Sequence, residues 1–263
     1  MDPRRRLGLI VALALAASSA HADPAEPSDF QREMIAVRIA LEGGTYLGLE
    51  FGLNDVLSPK TCRWCTPDAF DGAMTDALAW RDTGLANTVS DVTGYVLSPV
   101  VMGGALVAAG WGHGYRRAFD DVSPVVEAAI VTSLVQHLFK LTVARQRPYA
   151  YQAVPGSLQH TAEDDVSFWS GHTSLTFSLA VAAGSVASLR GYSLAPEIWA
   201  TGLSLAVATG YLRIAADKHW TTDVMTGAAV GAILGYIWPR YVHHWIGKDV
   251  SITPSGVSLT TTF

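Results

Sequence analysis

Read for its hydrophobic and polar positions, the chain carries five apolar segments, at residues 93–113, 122–143, 172–189, 197–215 and 222–238. None shows the strict polar–apolar alternation of a half-buried strand, so the pattern predicts an all-α, multi-helix bundle. Uncharged runs inside the segments are roughly 15–17 residues long, at the lower edge of what a membrane crossing needs. Buried helices of a soluble bundle fit that length too. Small residues favour the membrane. Gly227, Gly231 and Gly235 form two overlapping G-x-x-x-G steps in the last segment, a spacing that lets helix backbones approach closely in lipid. In water each such Gly would cost a helix about 1 kcal/mol relative to Ala.

Ahead of these segments, residues 23–34 read as a polar lead-in rich in Pro, Asp and Glu. Residues 35–57 are helix-prone but carry Arg38, Glu42 and Glu50, the pattern of an amphipathic surface helix. A sixth crossing by this stretch is the alternative. Residues 58–90 read as loops and short helices, and residues 251–263 as a polar tail with β-prone positions. The organisation expected is a signal peptide at 1–22, an N-terminal region at 23–92, a helical bundle at 93–240 and a tail at 241–263.

Charge placement orients the bundle. Arg116 and Arg117 follow the first apolar segment, Arg190 the third, and Arg240 and Lys248 the fifth. With five crossings these sites fall on one side, which the positive-inside rule makes cytoplasmic. The N-terminus fits the same topology. Arg4, Arg5 and Arg6 precede an apolar run at 7–17 and the small-x-small site Ala20-His21-Ala22, as in a cleaved secretory signal; an uncleaved anchor is the alternative. Only 16% of residues are charged, and the net charge of −5 argues against a nucleic-acid partner. The cysteines, Cys62 and Cys65, have no second pair to complete a zinc site and no strand–helix context for a redox motif. In an oxidising compartment they are a candidate local disulfide.

Three clusters carry chemistry: Lys140 with Arg147-Pro148 at the end of the second apolar segment, Ser170-Gly171-His172 opening the third, and Arg213, His219 and Asp223 between the fourth and fifth. Helix parity alone places all three on one side of the bundle. Lys140, Arg147 and Arg213 are cations at the ends of apolar helices, where charge is costly and usually functional. Together they suit a phosphate, which Arg binds with two parallel hydrogen bonds. Ser170 and Gly171 sit at a helix start, where backbone N–H groups favour an anion. His219 and Asp223, four residues apart, would stack on a helix, the carboxylate fixing the imidazole tautomer for nucleophilic attack. His172 would serve as acid and then base.

These residues resemble the pattern of the type 2 phosphatidic acid phosphatase and vanadium haloperoxidase superfamily: K-x6-R-P, P-S-G-H, and S-R-x5-H-x3-D. The first motif matches completely; Trp169 stands for Pro in the second and Leu212 for Ser in the third. The resemblance covers residues 95–240. It implies a helical bundle acting through a phosphohistidine, with neither metal nor cofactor. His219 would be the nucleophile, Asp223 its orienting partner and His172 the acid/base, with Lys140, Arg147, Ser170, Gly171 and Arg213 on the phosphate. A site in a membrane implies a lipid phosphate or diphosphate as partner, at the periplasmic face of a bacterial inner membrane. A soluble periplasmic acid phosphatase, a vanadate-dependent haloperoxidase and an inactive scaffold are the alternatives. The acidic run Glu163-Asp164-Asp165 lies between the first two motifs; such a run is usually a solvated one, and the alternative is that beside a phosphate it discourages extra anionic groups.

Overall fold

The structure, a computed structural model, describes residues 26–154, 161–243, 250–253 and 256–259. The expected signal peptide lies outside the described residues. The chain is an all-α bundle with one antiparallel hairpin near its end, in which Val250–Thr253 pairs with Gly256–Leu259. The long helices are α1 (Asp29–Leu47), α2 (Ala69–Leu78), α3 (Thr83–Ala109), α4 (Gly114–Val143), α5 (Gly171–Leu189), α6 (Ala195–Ala215) and α7 (Thr221–Ile237). Three of them carry π-helical turns: Gly48–Leu53 extends α1, Val92–Leu97 interrupts α3 and Trp238–Val242 extends α7.

Helix α5 is the centre, with α3, α4, α6 and α7 packed around it. The close approach anticipated for the last segment is present. A Cβ on Gly227 would stand 2.7 Å from the Ser170 carbonyl oxygen, one on Gly231 2.2 Å from that of Ser174, and one on Gly235 2.5 Å from that of Ser178. Only glycine lets α7 lie against the α5 backbone at these three positions. Helices α3, α4, α5 and α6 are long and apolar enough to cross a membrane. Helix α7 has 17 residues and gains length from its π turn.

Several helices begin earlier than the apolar pattern indicates. Helix α3 starts at Thr83 under an Asp82 cap, so the boundary expected at residue 93 falls inside it. Helix α1 starts in the stretch read as a lead-in. Ser28 accepts from the Gln31 N–H at 3.2 Å while the Gln31 side chain accepts from the Ser28 N–H at 2.8 Å, a reciprocal cap.

Helix α1 also runs differently from a helix lying on a surface. Asp29 pairs with Arg116 at 2.7 Å, Arg32 with Asp120 at 2.7 Å, Arg38 with Glu127, and Glu50 with Lys140 at 2.9 Å. Partner numbers rise together, so α1 lies parallel to α4 along its length. Arg32, Arg38, Glu42 and Glu50 turn inward, and Met34, Val37, Leu41, Leu47 and Phe51 point out. From residue 34 to residue 53 no charged residue is exposed, a length of about 30 Å of helix.

The segment between α1 and α2 sits at the opposite end, beside the C-terminus of α4. Cys62 and Cys65 are disulfide-bonded. Trp64 pairs its backbone with that of Arg145 and lays its ring 3.8 Å from the Arg145 guanidinium.

Candidate active site

The helix ends predicted to converge do converge. Lys140, Arg147, Gly171, His172, Arg213 and His219 line one cavity of about 110 Å³, with Gln136, Ser133 and Leu175 toward the bundle interior. The cations come from three places. Lys140 stands on the last turn of α4, Arg147 follows the turn that Ala144 makes in the left-handed region, and Arg213 is on the last turn of α6. Arg147 is held as a fork: Nε donates to the Glu163 carbonyl at 2.7 Å and Nη1 to the Lys218 carbonyl at 2.9 Å. Arg213 donates through Nη1 to Asn87 and Ser90, both at 2.9 Å, while its buried Nε has no protein partner among the described residues.

Helix α5 begins at Gly171, with Ser170 as its cap. The first N–H groups of such a helix have no acceptor within it and point at the cavity. Gly171 lines the cavity. Ser170 does not: its hydroxyl bonds the Thr173 hydroxyl at 2.8 Å and caps the helix. The sequence reading placed Ser170 on the phosphate; its side chain is instead spent on holding the helix start.

His219 lies in the loop between α6 and α7. Its Nδ1–H donates to the Ser167 carbonyl at 2.8 Å, and its Nε2 faces Arg147 Nη1 at 3.3 Å. A carbonyl only accepts, so Nδ1 carries the proton and Nε2 presents a lone pair to the cavity. Burial, reinforced by Arg147, Arg213 and His172, holds His219 well below its ordinary pKa, so the ring is neutral. Burial first, then Arg147 and Arg213, lower Lys218.

The expected His219–Asp223 hydrogen bond is replaced. Their nearest atoms are 3.8 Å apart. The reason is local: α7 starts only at Thr221, so His219 precedes the helix and does not stack over Asp223. Asp223 accepts instead from the Trp220 N–H at 3.1 Å, the Ser167 hydroxyl at 2.5 Å and Arg145 Nη1 at 2.5 Å. It fixes Ser167, and Ser167 orients the imidazole. Arg145 in turn reaches Asp71 of α2 at 2.6 Å, and Asp71 accepts from the Thr222 N–H at 2.9 Å. All three charges are buried, which is tolerable only because each is paired and hydrogen-bonded.

Sequence reasoning missed a set of residues on the α1–α3 side. Glu50 bonds Lys140 at 2.9 Å and His137 at 3.1 Å. Asp91 bonds His172 Nε2 at 2.7 Å and approaches Arg213 at 3.4 Å. Tyr95 packs on the His172 ring at 4.3 Å between centroids, and Tyr46 completes the wall. Of the acidic run, Glu163 meets Arg147 at 3.0 Å, whereas Asp164 accepts from Tyr149 at 2.8 Å. Burial would raise the Glu163 carboxyl, but Arg147 and Lys140 hold it below its ordinary value. Two of the three π turns serve this wall: one carries Glu50 and the other Gly94 and Tyr95. Such turns shift the register of a helix face and recur at functional sites.

Residues 121–246 match the family described as the PAP2 superfamily. A lipid A 1-phosphatase of Porphyromonas gingivalis is 32% identical over 96 residues, which is 36% of this chain and 20% of that protein. The chain thus spans a minor part of that relative's length. The crystal structure of Aquifex aeolicus LpxE aligns with a TM-score of 0.45 and 24% identity, over 65% of this chain and 93% of that one. The crystal structure of the first transmembrane PAP2 type phosphatidylglycerolphosphate phosphatase from Bacillus subtilis aligns with a TM-score of 0.46 and 13% identity, over 80% and 94%. Lys140, Arg147, His172, Arg213, His219 and Asp223 all fall inside the span, residues 121–246, over which the chain is similar to the PAP2 superfamily.

Proposed function

We propose that this protein is a phosphatase that cleaves phosphate from a lipid through a phosphohistidine on His219. The observation that carries the reading is the imidazole itself. It is buried and neutral, its Nδ1–H is held by the Ser167 carbonyl, and its Nε2 is aimed into a cage of cations. In the first step Nε2 attacks phosphorus, the bond to the leaving oxygen breaks, and His172 gives that oxygen a proton. In the second step His172 takes a proton from water, the water oxygen attacks phosphorus, and the P–N bond breaks to release phosphate. Lys140, Arg147, Arg213 and the α5 N-terminus stabilise the charge spread over the equatorial oxygens. These groups supply the electrostatic part of the work without a metal.

Two features support a lipid substrate at a membrane. Helices α3 to α6 are apolar enough to cross it, and the relative from P. gingivalis acts, by its name, on a phosphorylated lipid. The sidedness follows from the ends of the bundle. A disulfide stands at the site end, which fits an oxidising periplasm. Arg116 and Arg117 stand at the other end. Helix α1, parallel to α4 with its exposed face uncharged over about the thickness of a hydrocarbon core, fits a sixth crossing. Its Ser28 end then lies opposite the site. That arrangement is at odds with a mature N-terminus on the site side.

The test is phosphate release by detergent-purified protein from a panel of lipid phosphates and one soluble phosphomonoester, with chelator present and His219→Ala alongside. Chelator-resistant release from lipids, absent in the variant, is expected. Release equal in the variant, or confined to the soluble ester, would contradict the reading.

A further inference from the structure

The cage is lined at two levels. The cations are deep, with side-chain exposures of 7% for Lys140, 9% for Arg147 and 5% for Arg213. Each is met by a carboxylate nearer solvent: Glu50 at 26%, Glu163 at 50% and Asp91 at 44%. Three elements supply them. Glu50 comes from the π turn of α1, Asp91 from α3 just before its π turn, and Glu163 from the loop ahead of α5. Two of the three lie outside the span matched to the family, residues 121–246, so the motif chemistry does not demand them.

The geometry points to an acidic rim, formed by Glu50, Asp91 and Glu163, that selects a lipid carrying a single terminal phosphate over one carrying a diphosphate. This rests on the phosphatase reading above and narrows its substrate. The scissile phosphate belongs on the floor, among the cations and beside His219 Nε2. Its oxygens replace the carboxylates at Lys140, Arg147 and Arg213, and the displaced carboxylates stay tethered at the mouth. Whatever is bonded to that phosphate must pass them. A neutral sugar or alkyl oxygen passes without electrostatic cost. A second phosphate stops at the level of three anions, and like charges a few ångströms apart in a half-buried site repel strongly. Toward the interior the cavity is lined by the uncharged Gln136, Leu175 and Ser133, which add no cation to hold a second phosphate.

The test uses the full chain in detergent and two probes with one tail, farnesyl monophosphate and farnesyl diphosphate, compared by initial-rate kcat/KM. The wild type is expected to favour the monophosphate. Glu50→Gln, Asp91→Asn and Glu163→Gln remove charge with little change of shape. Each should shift the ratio toward the diphosphate, and the three together by about tenfold or more. Salt offers a check without mutation. Raising it from low to about 0.5 M should reduce the wild-type preference, because half-exposed charges are screened. A ratio within about twofold of wild type in variants that still cleave the monophosphate, together with a salt-independent wild-type ratio, would overturn the rim and leave the phosphatase standing. Should a variant fail to fold, as judged by thermal melting, the remaining single variants and the salt series decide the matter. Folded wild type that cleaves neither probe nor any lipid of the panel above would overturn the phosphatase reading itself.

Discussion

The two walls of the cavity are built under different constraints. The wall from α4 to α7 holds Lys140, Arg147, His172, Arg213 and His219 at helix ends, where residue type follows from chemistry on phosphorus. The wall from α1 to α3 holds Tyr46, Glu50, Asp91 and Tyr95 inside helices, with Glu50 and Tyr95 in π turns and Tyr46 and Asp91 just before them. In the proposed mechanism the first wall supplies the nucleophile, the acid and the positive charge. The second supplies counter-charge and shape, and sends Asp71 and Trp64 to clamp Arg145 from behind. The difference teaches that a reaction is written in a few motif residues, while the fit of a substrate is distributed over elements with no motif at all.

That contrast can be broken from either side. The largest effect is expected in the motif wall. His219→Ala removes the attacking atom and should lower kcat on the order of 10⁴-fold or more, with the melting temperature little changed. An active variant would move the nucleophile elsewhere. Next comes the clamp. Arg145→Ala leaves Asp71 and Asp223 as buried, uncompensated carboxylates and should cost about 3–5 kcal/mol of stability, read by thermal or denaturant unfolding in detergent. An unshifted transition would mean that the network contributes nothing. A smaller effect tests the second wall. A Cβ on Gly94 would meet the His172 ring at 3.0 Å, so Gly94→Ala must displace the acid/base by a few tenths of an ångström and should lower kcat about tenfold. An unchanged kcat would show that His172 is not held from this side.

The last prediction is of no effect where one is usual. Burial and the neighbouring cations keep His219 well below the ordinary histidine pKa of 6.5. A rate that needs the neutral ring is lost only as pH falls through that lowered value. The kcat profile should therefore show no decline from His219 protonation near the ordinary value. An acidic limb there that Arg147→Lys moves upward would contradict the neutral, cation-flanked imidazole.

Much of the site is legible because the proposed phosphate chemistry demands fixed residue types and helix parity brings them together. The five apolar segments correspond to α3 through α7. What the sequence hid has physical causes. Helix α1 carries Arg38, Glu42 and Glu50, so its mean polarity is that of a surface helix; only the partners Glu127 and Lys140 reveal that the polar side faces in. The first turns of α3 are polar because Asn87, Ser90 and Asp91 serve Arg213, and so they fell outside the apolar run. The spacing of His219 and Asp223 fits a helix, but the helix starts two residues too late for the pair to bond directly. Ser167, which takes that hydrogen bond through its backbone, leaves no mark in a sequence.

The central claim is that His219 Nε2 becomes phosphorylated. The direct measurement is a single turnover with a lipid labelled in its phosphate, in the presence of chelator, quenched in alkali because phosphohistidine survives base and not acid, and followed by peptide mapping. The account predicts label on the peptide containing His219 that appears before free phosphate and decays as phosphate forms, with none in His219→Ala. Phosphate released in full while that peptide stays unlabelled at every time would contradict it.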